Sequence, residues 1–234
     1  MHAADEAIVL VGGLGTRLRS VVPDLPKPIA PVAGRPFLAH VLDQLAVSGL
    51  RRVILATGHL AEKVEQAIGP HWAGMQISYS REEAPLGTGG AISLAATQLH
   101  GDGVHLLNGD TFLRYDLREL ERVVHAADVP LGMALAQVPD VGRYGAVDIA
   151  AGRVVAFHEK GGHGAGLINA GSYFLTVAGV AALPSLPNYS FESKVLPAWV
   201  ASRQVVALTS TRDFIDIGVP EDYVRAQSLL GSAG

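Results

Sequence analysis

Five consecutive apolar residues, Ala7-Ile8-Val9-Leu10-Val11, run directly into Gly12-Gly13. An apolar, largely β-branched run that stops at glycine describes a buried strand entering a tight loop. The pattern returns at 52–57 (RVILAT), 76–80 (QISYS) and 104–110 (VHLLNGD), the last strand ending in Asp110. Between these runs the spacing turns helical. Phe37, Leu38, Val41, Leu42, Leu45 and Ala46 share one face, and Gly49 closes the segment. Helices are also expected over 61–68, 91–98 and 117–126, with a second glycine-rich loop at 86–90 leading into 91–98. Strand–helix alternation at this spacing predicts an α/β fold, a parallel sheet with helices on both faces.

The segment after the first strand, Gly12-Gly13-Leu14-Gly15-Thr16-Arg17-Leu18, suits an anion. Glycines let successive backbone N–H groups turn inward and form a concavity for phosphate. Arg17 adds a planar, two-pronged donor. Lys27 stands between Pro26 and Pro28, which stiffen the chain and aim a single ammonium. Three descriptions compete for this loop. A P-loop would need Lys-Ser/Thr after its last glycine, and none follows. A dinucleotide fingerprint would need a third glycine where Leu18 stands, and an acidic residue roughly 20 positions on, which is also missing. A plain strand–turn would account for two glycines alone.

Composition narrows the class. With 234 residues, 49% of them hydrophobic, the chain can build one sizeable core and is too short for two full domains, so 1–234 is expected to be a single domain. A net charge of −4 offers no basic surface for nucleic acid or an acidic membrane. Cysteine is absent, which removes disulfides, thiolate metal sites and a cysteine nucleophile. The nine histidines show no HExxH spacing, so no zinc site is expected. The start lacks the basic residues of a signal peptide, and no stretch approaches the ~18 apolar residues of a membrane span. A cytoplasmic location is expected.

Seven motifs occur in a telling order: the glycine loop with Arg17, Pro-Lys-Pro at 26–28, Leu-Gly-Thr-Gly-Gly at 86–90, Asn-Gly-Asp at 108–110, Glu-Lys at 159–160, Asn-Ala-Gly at 169–171 and Ile-Asp-Ile-Gly at 215–218. Over nearly its whole length the chain resembles the sugar-1-phosphate nucleotidylyltransferases. That resemblance implies a Rossmann-like, mostly parallel sheet of the glycosyltransferase-A kind. It implies the reaction NTP + sugar 1-phosphate → NDP-sugar + pyrophosphate. By the same resemblance Gly12, Gly13, Gly15, Thr16 and Arg17 would bind the triphosphate, and Gly87 and Thr88 the base. Arg17 and Lys27 would be the catalytic cations. Asn108, Gly145, Glu159, Lys160 and Asn169 would hold the sugar phosphate, and Asp110 and Asp216 would hold Mg²⁺. The family commonly has Glu-Lys-Pro where Gly161 follows Lys160 here, and the glycine-rich 161–166 stretch reads as a mobile cover for the sugar.

Within the family, residues 19–28 and 30–38 are most similar to the guanylyltransferases acting on D-glycero-α-D-manno-heptose 1-phosphate, which implies GTP as the nucleotide. Mannose 1-phosphate with GTP, and a hexose or N-acetylmuramate 1-phosphate with UTP, are the alternatives. From another class, a non-catalytic nucleotide-sugar-binding regulator could share the fold, but Arg17, Lys27, Asp110 and Asp216 are all present. A homodimer is left open.

Overall fold

The computed structural model describes residues 3–13 and 25–231. Strand β1 (Glu6–Leu10) is followed by a small hairpin of β2 (Pro31–Val32) and β3 (Arg35–Pro36), then helix α1 (Phe37–Val47). Next come β4 (Arg52–Thr57), α2 (Ala61–Ile68), β5 (His71–Trp72), β6 (Met75–Arg81) and α3 (Gly87–Ala96). Then follow β7 (Gly103–Asn108), β8 (Thr111–Arg114), α4 (Leu117–Ala127) and β9 (Leu131–Val138). The remainder is β10 (Val147–Ala150), β11 (Arg153–Phe157), β12 (Gly166–Thr176), α5 (Val177–Ala181), α6 (Leu196–Ala201), β13 (Val205–Leu208), β14 (Arg212–Asp216) and α7 (Pro220–Gly231). A π-helical turn, Phe191–Val195, leads into α6. Among the described residues no helix is long and apolar enough to cross a membrane.

Ten strands form one sheet in the order β10-β11-β13-β9-β12-β7-β1-β4-β6-β5. Its first-built part, β6-β4-β1-β7, is parallel. Strand β12 runs antiparallel to both β7 and β9, and β10 and β11 are joined by a tight hairpin, so the later part is mixed. Alternate residues of the central strands enter opposite layers. Ala7, Val9, Val53 and Leu55 pack with Phe37, Leu38 and Val41 of α1. Ile8, Ile54 and Leu106 pack with Ala91 and Ile92 of α3. Burial on both faces is why these strands read as unbroken apolar runs instead of alternating ones.

Two expectations need correction, and one strand pairing was not foreseen. The glycine-rich stretch is not a loop before a helix at 91–98; helix α3 begins at Gly87. The glycines are used for close packing: a Cβ on Gly89 would lie 2.0 Å from the Tyr189 ring. Strand β7 stops at Asn108, so Asp110 lies in the turn beyond it. Finally, β8 and β14 pair outside the main sheet as a two-stranded ribbon, which the apolar pattern of neither segment announced.

One buried polar group ties β7 to α4. His105 is fully buried, and its Nε2 lies 2.8 Å from Glu121 Oε1. Arg118 donates to the same oxygen. Burial pushes the His105 imidazole below its ordinary value, and among the described residues no acceptor waits for its Nδ1. Burial alone would raise the Glu121 carboxyl, but the hydrogen bonds and charges of His105 and Arg118 hold it below the usual range. The unfolded chain therefore takes up protons at both sites more readily than the folded one. Stability is expected to be complete above about pH 6.5, the ordinary histidine value, and to fall as pH drops below it, with a further loss below about pH 4.5 from Glu121. Thermal melts from pH 8 to 4 test this. The first limb should be missing from His105→Gln, and an unchanged profile in that variant would refute the assignment.

Candidate functional site

The chain visits β1, β4 and β6 on one side and then crosses to β7 on the other. Open α/β sheets bind ligands at this switch point, outside the carboxyl ends of the strands. Here the crevice lies beyond β1 and β7, which are bridged there by Gly109 N–H donating to Leu10 O at 2.8 Å. Its walls include Gly12, Gly13, Lys27, Thr88, Asn108 and Asp110, enclosing ≈ 190 Å³. It runs into a larger cleft of ≈ 550 Å³ lined by Gly12, Gly13, His59, Glu82, Gly87 and Thr88 among others. That volume is ordinary for a small-molecule site. Gly15, Thr16 and Arg17 lie outside the described residues.

Lys27 opens a short 3₁₀ turn, Lys27–Ile29, set by the flanking prolines and closed by Ala30 N–H donating to Lys27 O at 3.0 Å. Pro28 and Ile29 are buried, which fixes the turn against the core. The ammonium reaches Asp110 Oδ2 at 3.2 Å. Asp216 arrives from the far end of the chain on the β8–β14 ribbon, where it pairs with Thr111. Ile217 N–H donates to Asp110 O at 3.1 Å, so the two aspartates are neighbours. Burial and the Asp110 charge push the Asp216 carboxyl above its usual range. Gly218 N–H, Lys27 and Arg143 pull it the other way. Asp110 lines the crevice and Asp216 adjoins Asp110, and two neighbouring carboxylates could hold a hard dication. Magnesium takes one or two carboxylates and completes its shell with water and substrate phosphate. Among the described residues no cluster of three or more His, Cys, Asp or Glu offers a fuller cage.

The sugar-side candidates form a second group. Gly145 has φ +81°, and a Cβ there would lie 2.4 Å from His158 O, so only glycine lets the 141–145 turn lie against the strand leading to Glu159. The 158–165 segment is braced by this turn through Gly161 N–H to Gly142 O and Val141 N–H to Gly164 O. Glu159 and Lys160 are exposed on it, outside both parts of the cleft. The Asn169 side chain is engaged internally: it accepts from Gly171 N–H and donates to Tyr173 Oη. Thr88 is engaged as well. Its hydroxyl donates to Glu192 and accepts from Phe191 N–H, fastening α3 to the π-helical turn.

Three residues here escape motif reading. Glu82 ends on the wall of the larger cleft, its Oε2 accepting from Leu86 N–H at 2.7 Å. A Cβ on Gly12 would come within 2.9 Å of its other oxygen, so Gly12 and Glu82 fit together. Its signal was a carboxylate at a strand end directly before the glycine-rich stretch. Arg143, just before the Tyr144-Gly145 pair, donates to Asp222 at 2.6 Å and lies 3.8 Å from Asp216. Asp222 could have been noticed only once the fold buried it.

The nucleotidyl transferase family model matches residues 6–232. The chain belongs to this family. A D-glycero-alpha-D-manno-heptose 1-phosphate guanylyltransferase of Aneurinibacillus thermoaerophilus is 41% identical over 225 residues, covering 96% of this chain and 98% of that one. A mannose-1-phosphate guanylyltransferase of Mycobacterium tuberculosis is 37% identical, covering 98% of this chain and 65% of the relative. The crystal structure of HddC from Yersinia pseudotuberculosis complexed with GMP-PN superposes with a TM-score of 0.83 at 33% identity, over 96% of this chain and 99% of that one. For a nucleotidyl transferase, the crevice between β1 and β7 is where the sheet topology directs phosphate.

Proposed function

We propose that this nucleotidyl transferase joins GMP from GTP to D-glycero-α-D-manno-heptose 1-phosphate and releases pyrophosphate. The observation that carries the reaction class is the pairing of Lys27 with Asp110 at the switch-point crevice, with Asp216 beside Asp110. A phosphate oxygen of the sugar 1-phosphate attacks the α-phosphorus, and the bond to the bridging oxygen of pyrophosphate breaks. The nucleophile is already anionic near neutral pH, so no general base is required. Catalysis is then positioning and charge neutralisation. Lys27 meets charge on the phosphates, and Arg17 serves the triphosphate. Asp110 and Asp216 would hold Mg²⁺, which when bound neutralises and orients phosphate oxygens. Glu159, Lys160, Asn169 and Gly145 are assigned to the sugar side. The whole chain acts as one catalytic domain, working in the cytoplasm.

Glu82 supports guanine as the base. The guanine edge presents N1–H and the N2 amino group side by side, two donors for one carboxylate. Uracil presents a single N–H between two carbonyl oxygens, which a carboxylate repels. A hydrogen bond to a charged group contributes about 1.5–3 kcal/mol, or roughly 10–100-fold. Glu82→Gln is therefore expected to lower kcat/KM for GTP by about that factor and to narrow the gap to UTP. An unchanged GTP:UTP ratio would place base recognition elsewhere. The assay is pyrophosphate release over four NTPs and a panel of sugar 1-phosphates. Manno-heptose 1-phosphate should exceed mannose 1-phosphate by at least about tenfold, since a site that hydrogen-bonds the extra hydroxyl discriminates strongly against its absence. Equal rates would indicate a general mannose-type activity.

A further inference from the structure

Asp222, in the first turn of α7, is a buried carboxylate with two cations. Its Oδ2 accepts from Arg143 at 2.6 Å, with Tyr144 Oη at 3.4 Å. Its Oδ1 accepts from Arg225 Nε at 3.2 Å. One arm of the Arg143 guanidinium is thus anchored, and its Cζ lies over the Tyr144 ring, 4.9 Å from the centroid. The other arm points to Asp216 Oδ2 but stops at 3.8 Å, too far for a hydrogen bond. Each carboxylate of the pair therefore has a cation beside it. Lys27 contacts Asp110, and Arg143, on the turn that carries Gly145 and braces the 158–165 segment, lies near Asp216.

We propose that Arg143, aimed by Asp222, binds the phosphate of the incoming sugar 1-phosphate beside Asp216. The inference rests on the nucleotidyl-transfer reading. A guanidinium with one anchored edge keeps its remaining N–H groups in a fixed fork, which suits a tetrahedral phosphate and costs little ordering on binding. Its position on the sugar-side turn distinguishes it from Lys27, which contacts Asp110. Asp222 touches no substrate and acts as a positioning residue.

The test is steady-state kinetics with both substrates varied, alongside thermal melts, on Arg143→Gln, Arg143→Lys, Asp222→Asn and the double variant R143Q/D222N. Arg143→Gln should raise KM for the sugar 1-phosphate by about 10–100-fold, the loss of a charge-assisted contact, while KM for GTP stays within about threefold. Arg143→Lys should recover only part of this, because an ammonium cannot reproduce the fork. Asp222→Asn should raise the same KM by a smaller factor. The double variant also removes the buried carboxylate charge, which Arg143→Gln leaves with Arg225 as its remaining cation. It should regain the lost melting temperature and keep the raised KM. If KM recovers together with the melting temperature, Arg143 is only a tie between the turn and α7, and the proposal fails. It fails equally if KM for GTP rises as much as KM for the sugar. The wild-type protein is the control for the underlying reading: no nucleotide sugar formed from any sugar 1-phosphate overturns that reading, whereas wild-type turnover with a normal KM in Arg143→Gln overturns this inference alone.

Discussion

Lys27→Ala is expected to lower kcat/KM for nucleotidyl transfer by about 10²–10³, the scale of losing one preorganised electrostatic contact to a charged transition state. The large effect follows from how the ammonium is held. Two prolines and a buried Ile29 fix the turn, so the charge is in place before substrate arrives. Stability should change little. The ion pair with Asp110 is partly open to water, the aspartate side chain being 34% exposed, and such pairs contribute at most about 1 kcal/mol. Pyrophosphate release measured beside a melting curve separates the two effects. A variant with near-normal turnover would remove Lys27 from the mechanism.

Asp110→Asn and Asp216→Asn are each expected to reduce activity by about 10³ at fixed Mg²⁺, since each takes away several kcal/mol of charge stabilisation through the metal. The concentration of Mg²⁺ giving half-maximal rate should rise in both. Their stabilities should diverge. Burial and the Asp110 charge push the Asp216 carboxyl above its usual range, so ionising it costs more in the fold than in water. Replacing it with a neutral isostere removes that repulsion, so D216N should melt no lower than the wild type, and higher if Gly218 N–H keeps its acceptor. A site that is strained before its ligand binds often shows this opposition between stability and activity. Full wild-type activity in excess chelator would contradict the metal role of both residues.

What could be read from the chain alone depended on how local each signal is. Strands β1, β4 and β6 and helices α1, α2 and α4 were legible because apolar periodicity and glycine stops lie within or beside each segment. Lys27, Asp110 and Asp216 were legible as candidates from three separate motifs, and the fold brings them together. The start of α3 was not legible. Gly87 and Gly89 look like loop residues until Tyr189, about a hundred positions away, is seen packed against them. The β8–β14 ribbon was missed for a similar reason: each strand is short, and its partner comes from the other end of the chain. Glu82, Arg143 and Asp222 belong to no motif, and their relevance comes from where the fold sets their charge.

The ribbon has a consequence for when the protein can become active. Asp110 belongs to a strand-end turn, and its neighbour Asp216 belongs to a strand made about a hundred residues later. A nascent chain can assemble the parallel β6-β4-β1-β7 platform and still hold only half of the proposed metal pair. Competence is thereby deferred until β14 has left the ribosome and closed onto β8. A product terminated before residue 212 would keep much of the nucleotide-side cleft and be unable to spend GTP.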